Sequence, residues 1–112
     1  QVASVGMTEQ AARDAGVDVL IGTFQFRANG RSIAMNETEG IVKLIFDQAD
    51  NNRLVGAHIM HAMASELIAE LGVVLTMGGC ADDISHTVHA HPTLSEAVME
   101  AAEDALGRPV HK

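Results

Sequence analysis

Apolar and polar residues alternate with a period of two along several stretches of the chain, as expected for strands. In residues 17–26 the apolar side chains lie first at odd-numbered and then at even-numbered positions, so they move from one face of the strand to the other. This change of face predicts a strand with a bulge near Gly22. Residues 41–46 and 54–60 flank an Asp-Asn-Asn turn, so they predict a β-hairpin. A shorter stretch at 33–35 lies between two turn sequences and predicts another strand.

Other stretches carry the period or the end signals of helices. Thr8 precedes an Ala-rich segment, which predicts a short helix over residues 9–15. Apolar residues at helical spacing predict a second helix over 63–77, and an acidic segment at 81–85 predicts a short helix or turn. The clearest amphipathic pattern covers 94–106, where alanines and aliphatic residues share one stripe.

Strands that concentrate early in the chain and helices that concentrate late indicate an α+β fold. The length of 112 residues fits one domain, so we expect a single domain over 1–112 with an antiparallel β-sheet flanked by helices. Residues 107–112 are expected to form a mobile tail.

The formal net charge of −8 disfavours nucleic acid as a partner, because a phosphate backbone would be repelled. No apolar run approaches the roughly 18 residues that a membrane-spanning helix needs, so no membrane partner is expected. A single cysteine, Cys80, excludes an internal disulfide and fits a reducing compartment. The chain lacks an initiator methionine and a targeting signal, and its start resembles a cut inside a longer protein.

The segment HTVHAHPTLSE at residues 86–96 holds three of the six histidines and allows three interpretations. A metal site at His86, His89 and His91 is disfavoured, because Pro92 pushes the preceding residue toward an extended conformation away from any shared helical face. No metal ligand is therefore assigned.

The two other interpretations share the same residues and both remain open. Thr93 and Glu96 have the spacing of a capping box, which would only start a helix. The same spacing also puts the Glu96 carboxylate within reach of His91, and a carboxylate fixes the tautomer of an imidazole that acts as a general base.

The sequence HAHPTLSEAVMEAA closely resembles the C-terminal signature of the dihydrolipoamide dehydrogenases, which are FAD-dependent pyridine nucleotide–disulfide oxidoreductases. The segments ASVGMTEQAA, ANGRSIAMNETEGIVKLIFD, RLVGAHIM and ASELIAEL are similar to the same domain in the same order, so the resemblance covers about residues 2–106. It implies the interface, or dimerisation, domain of such an enzyme, with the FAD and NAD domains absent. The chain accordingly has no glycine-rich dinucleotide fingerprint and no redox cysteine pair.

The resemblance also implies roles for individual residues. His91 would be the general base toward dihydrolipoamide, and Glu96 would orient it, both within the active site of the other subunit of a homodimer. The His91–Pro92 peptide would be cis, and its backbone would approach the partner subunit's FAD. His89 matches a family histidine for which we expect a packing or loop hydrogen-bond role.

For the full-length enzyme the resemblance implies FAD and NAD as cofactors, a lipoyl domain as substrate and the subunits of a 2-oxo acid dehydrogenase complex as partners. The isolated chain is expected to bind neither cofactor and to be inactive. A cytoplasmic location in bacteria, or the mitochondrial matrix in eukaryotes, would follow. Two alternatives are a self-associating module without catalysis and another disulfide reductase of the superfamily.

Overall fold

Residues 1–108 of the computed structural model are described here, and they form one four-stranded antiparallel sheet with five helices. The strands are β1 (Val2–Gly6), β2 (Val19–Gln25), β3 (Ile41–Asp47) and β4 (Arg53–Met60). The helices are α1 (Glu9–Asp14), α2 (Gly30–Ala34), α3 (Ala64–Thr76), α4 (Ala81–His86) and α5 (Glu96–Ala105). The predicted α+β class and antiparallel sheet are confirmed. Most of the predicted tail, residues 109–112, lies outside the described residues.

The strand order is β1-β4-β3-β2, so the predicted hairpin of β3 and β4 forms the centre of the sheet. The bulge predicted near Gly22 is wrong, since Gly22 pairs regularly with Leu44 along an uninterrupted β2–β3 ladder. The register instead shifts between Ile45 and Phe46, where β3 pairs with β4.

The change of face along residues 17–26 has a different cause from a bulge: both faces of the sheet are covered. Leu20, Phe24 and Phe26 face the main core beneath the long helices. Val19 and Ile21 face the opposite side, where they pack with the buried Ala12 of α1. Apolar residues on both faces of one strand therefore need no irregularity in its backbone.

Helix α5 packs directly on β2 at Gly22. A Cβ atom added to Gly22 would lie 2.1 Å from the carbonyl oxygen of Ala101 and 2.8 Å from Cβ of Ala105, closer than real Cβ atoms come. Asp104, near the end of the same helix, accepts a hydrogen bond of 2.9 Å from the backbone N–H of Thr23. These contacts determine where α5 lies, and with it the position of Glu96, its first residue.

Two elements differ from expectation. Residues 33–35 do not form a strand, because Asn29 starts α2: its side-chain oxygen accepts a 2.9 Å hydrogen bond from the N–H of Ser32. The edge strand β1 was not predicted, because its inward positions are only Ala3 and Val5 and the outward Val2 is 73% exposed. None of the helices within residues 1–108 is long and apolar enough to cross a membrane.

The contact at Gly22 leads to a stability prediction. Replacing Gly22 with Ala should lower the free energy of unfolding by about 1–3 kcal/mol, the usual cost of overpacking, because α5 must move off the sheet. Gly30→Ala is the control, since a Cβ at Gly30 meets nothing within 4 Å, and it should change stability by less than about 0.5 kcal/mol. Urea unfolding at equal protein concentration measures both; equal stabilities for the two variants would contradict the packing account.

Candidate active site

The three histidines of the HTVHAHPTLSE segment occupy different environments. His86 is the exposed last residue of α4, whereas His89 and His91 lie in the connection to α5, residues 87–95, which we call the His loop. Within residues 1–108 no three His, Cys, Asp or Glu side chains are grouped so that they could hold a metal ion.

His91 and Glu96 are brought together by the His loop and the first turn of α5. The Nδ1 atom of His91 lies 3.0 Å from each of the two carboxylate oxygens of Glu96. Since a carboxylate accepts, Nδ1 donates its hydrogen and Nε2 keeps its lone pair for another partner. The side chain of His91 is 78% exposed and that of Glu96 only 20%, so a partly buried carboxylate holds an imidazole that projects outward.

The capping interpretation is half correct. The Glu96 carboxylate does accept a 2.9 Å hydrogen bond from the backbone N–H of Thr93. The Thr93 hydroxyl, however, donates to the carbonyl oxygen of Ala90 at 2.6 Å instead of accepting from the N–H of Glu96. Helix α5 accordingly begins at Glu96, two residues after the predicted start at Leu94. Glu96 thus contacts both His91 and the backbone before the helix, so the partial cap does not exclude the contact with His91.

The surface beside His91 is open. The His91–Pro92 peptide bond is cis, as the family resemblance implies, and both residues are exposed. A groove of about 510 Å³ opens next to them and is lined by Arg31, Met35, Met63, Leu67, Pro92 and Leu94. His91 and Pro92 therefore lie on a surface that another molecule can reach.

His89 faces inward, in contrast to His91. Its Nε2 lies 2.7 Å from a carboxylate oxygen of Glu70 on α3, and its Nδ1 lies 2.9 Å from the carbonyl oxygen of Thr87. Only 5% of its side chain is exposed. The expected packing and loop hydrogen-bond role agrees with this geometry, but the sequence contained no signal for Glu70, which lies 19 residues away.

His58 and His61 make hydrogen bonds within the scaffold of the fold. His61 is buried against the ring of Phe26, accepts a 3.0 Å hydrogen bond from the N–H of Met63 at Nδ1 and donates from Nε2 to the carbonyl of Glu37 at 2.9 Å. His58 lies 2.8 Å from the Ser4 hydroxyl across the β1–β4 pair. Neither contacts the His loop through these hydrogen bonds.

Helix α4, which leads into the His loop, is capped by Asp83. Its carboxylate accepts a 2.8 Å hydrogen bond from the backbone N–H of Cys80. This hydrogen bond lowers the pKa of Asp83 below its ordinary value, because it favours the ionised form. The cap is therefore an ionised carboxylate throughout the neutral range.

Comparison with known proteins identifies the family of the chain. The family described as "Pyridine nucleotide-disulphide oxidoreductase, dimerisation domain" matches residues 1–102. Over 99% of its length the chain is 50% identical to a dihydrolipoyl dehydrogenase of Geobacillus stearothermophilus, 48% to one of Bacillus subtilis and 52% to dihydrolipoyl dehydrogenase 2 of Haloarcula marismortui. The chain spans only 23% of each of these relatives.

Solved structures have the same fold. The HOCl-induced flavoprotein disulfide reductase RclA from Escherichia coli superimposes with a TM-score of 0.86 at 29% identity, covering 91% of this chain and 23% of that one. LpdA from Mycobacterium tuberculosis superimposes with a TM-score of 0.84 at 24% identity, covering 91% of this chain and 22% of that one. At this low identity the superposition establishes only that the two proteins share a fold. On these matches, the chain belongs to the dimerisation-domain family of the pyridine nucleotide-disulphide oxidoreductases.

Proposed function

We propose that this chain is the dimerisation domain of a dihydrolipoyl dehydrogenase and that it supplies His91 and Glu96 to the active site of its partner subunit. The observation that carries the proposal is the exposed imidazole whose Nδ1 is held by Glu96 while Nε2 is free. Relatives of about 50% identity that bear this enzyme name support the reaction class.

In the proposed reaction His91 moves one proton. Its Nε2 takes the proton from a thiol of dihydrolipoamide, and the resulting thiolate attacks one sulfur of the enzyme's redox disulfide. The sulfur–sulfur bond breaks, and the second cysteine leaves as a thiolate while a mixed disulfide with the substrate forms. The proton stays on His91, so atoms and charges balance.

Glu96 makes His91 suitable for this step in two ways. Its carboxylate accepts the Nδ1 hydrogen and so keeps the lone pair on Nε2, the nitrogen that faces outward. It also stabilises the imidazolium that forms when the proton arrives, as a fixed anion beside the developing charge. The N–H of Thr93 holds the same carboxylate, so its orientation does not depend on His91 alone.

The rest of the active site must come from elsewhere. Cys80 is the single cysteine of the chain, so the redox disulfide lies on another domain. FAD, when bound there, carries electrons between the disulfide and NAD⁺. The exposed His91–Pro92 backbone of this chain fits an approach to the partner's FAD, because Pro92 has no N–H to leave unpaired against a flavin edge.

In the complete protein the substrate would be dihydrolipoamide on a lipoyl domain within a 2-oxo acid dehydrogenase complex. Its location would be the cytoplasm in a bacterium or archaeon, or the mitochondrial matrix in a eukaryote. FAD and NAD would be bound by the other domains and not by this chain alone.

A second function, self-association, is favoured by a specific surface. Val73 on helix α3 is 64% exposed, and Met77, the residue that caps the end of this helix, is 79% exposed. Exposed apolar patches of this kind mark interaction sites, and the domain family is named for dimerisation. We propose that this face belongs to the homodimer interface.

Replacing His91 with Gln in the full-length enzyme should lower kcat for NAD⁺-linked oxidation of dihydrolipoamide by about 10²–10⁴-fold, the usual contribution of a general base. His86→Gln is the matched control, because His86 is exposed five residues earlier. Steady-state kinetics on preparations with equal FAD content and dimer fraction give the comparison. Turnover by the His91 variant near the wild-type value would rule out the general-base role.

Replacing Val73 with Asp should shift the protein from dimer toward monomer, because a charge on the exposed face of α3 must then be desolvated at the interface. Ala11→Asp is the control: it adds the same charge to the first turn of α1, where an acidic residue is tolerated. Sedimentation velocity over a concentration series measures both. If Val73→Asp dimerises like the control, the interface lies on another face.

A further inference from the structure

The His loop carries a second histidine–carboxylate contact, two residues before His91. The ring of His89 lies between the carboxylate of Glu70, 2.7 Å from Nε2, and the carbonyl oxygen of Thr87, 2.9 Å from Nδ1. Both neighbours are hydrogen-bond acceptors, so each ring nitrogen of His89 has an acceptor within hydrogen-bond distance. Of these two acceptors, the Glu70 carboxylate is the one that lies on a different element, helix α3.

This contact differs from the His91–Glu96 contact in what it leaves free. His91 keeps one nitrogen available and is 78% exposed. His89 has both nitrogens engaged and is only 5% exposed. His89 therefore has no nitrogen left for a substrate proton, but it links the loop to α3, an element distant in sequence.

The loop has a second link on the other side of His91. The buried Asn29 donates a hydrogen bond of 3.0 Å from its side-chain amide to the carbonyl oxygen of Thr93. His91 thus lies midway between two tethered residues, His89 and Thr93. Asn29 also caps α2, so its replacement would alter the scaffold, whereas Glu70 is 28% exposed on the surface of α3.

We propose that Glu70 is a positioning residue of the active site: through His89 it holds the His loop so that Nε2 of His91 faces the partner's reacting sulfurs. This inference rests on the proposed function of His91. A loop released from α3 would let His91 sample orientations in which Nε2 misses the thiol proton, and small misplacements of a catalytic group reduce rates strongly. Glu70 itself touches neither substrate nor cofactor.

The test uses the full-length dimeric flavoenzyme with Glu70 replaced by Ala and, separately, by Gln. Glu70→Ala should lower kcat by about 10- to 100-fold, the range found when a partner that orients an active-site group is removed. Glu70→Gln keeps an acceptor oxygen for His89 and should fall between Glu70→Ala and wild type. Glu66→Ala, on an exposed residue one helical turn earlier, should leave kcat unchanged.

Two readouts separate positioning from a general loss of structure. First, kcat and kcat/KM for dihydrolipoamide should fall by the same factor with KM unchanged, because the lost orientation matters only in the transition state. Second, Glu70→Ala should have no further effect in a His91→Gln background, since residues that act as a unit are not additive. FAD content and dimer fraction are measured for every variant, and Glu70→Gln provides the same comparison if Glu70→Ala does not assemble.

The possible contrary results distinguish failure of the Glu70 positioning role from failure of the proposed function of His91. If His91→Gln is impaired while Glu70→Ala matches Glu66→Ala, the positioning role is wrong and the proposed function stands. A further loss on adding Glu70→Ala to His91→Gln also overturns it, because Glu70 would then act independently of His91. If His91→Gln turns over normally, the proposed function fails, and the positioning role fails with it.

Discussion

The close approach of α5 to β2 at Gly22 is the contact on which the candidate site depends. Only a residue without Cβ lets the carbonyl of Ala101 lie this near the strand. The buried apolar residues of α5 are correspondingly Val98 and the small Ala97, Ala101 and Ala102, which allow the helix to lie close to the sheet. The packing of α5 on β2 fixes the position of its first residue, Glu96, and Glu96 in turn contacts His91 and the backbone of Thr93.

His91 is exposed to solvent although Glu96 restrains its ring, and the other histidines of the chain show why this combination matters. Both ring nitrogens of the buried His61, and both of His89, whose side chain is largely buried, have hydrogen-bond partners, so these two histidines have a structural role. His91 is restrained on one nitrogen and open on the other, within a surface that also exposes Pro92. A general base works best where water is excluded and the reacting group is close, and nothing within residues 1–108 covers His91. A second subunit placed over this surface would supply both conditions, which agrees with a domain family defined by dimerisation.

The sequence predicted those parts of the fold whose determinants are local. The hairpin of β3 and β4 and the amphipathic α5 follow from periodicity and turn residues, and Glu96 was within reach of His91 by spacing alone. The failures at β2 and at Glu70 involve long-range packing. The apolar residues on both faces of β2 suggested a bulge, because the pattern could not reveal that α1 covers the second face. Glu70 was missed for the same reason: a carboxylate on α3 meets His89 only after the chain has folded.

Mixed dimers of the full-length enzyme test the central claim, that His91 and Glu96 serve the other subunit's site. One protomer carries His91→Gln, and the other keeps His91 but has serines in place of its redox cysteines. If the dyad acts across the interface, the intact disulfide of the first protomer is served by His91 of the second, and the mixed dimer should retain about half the activity of the symmetric wild-type dimer. If His91 serves its own chain, neither protomer has a complete site, and loss of all activity in the mixed dimer would contradict the account.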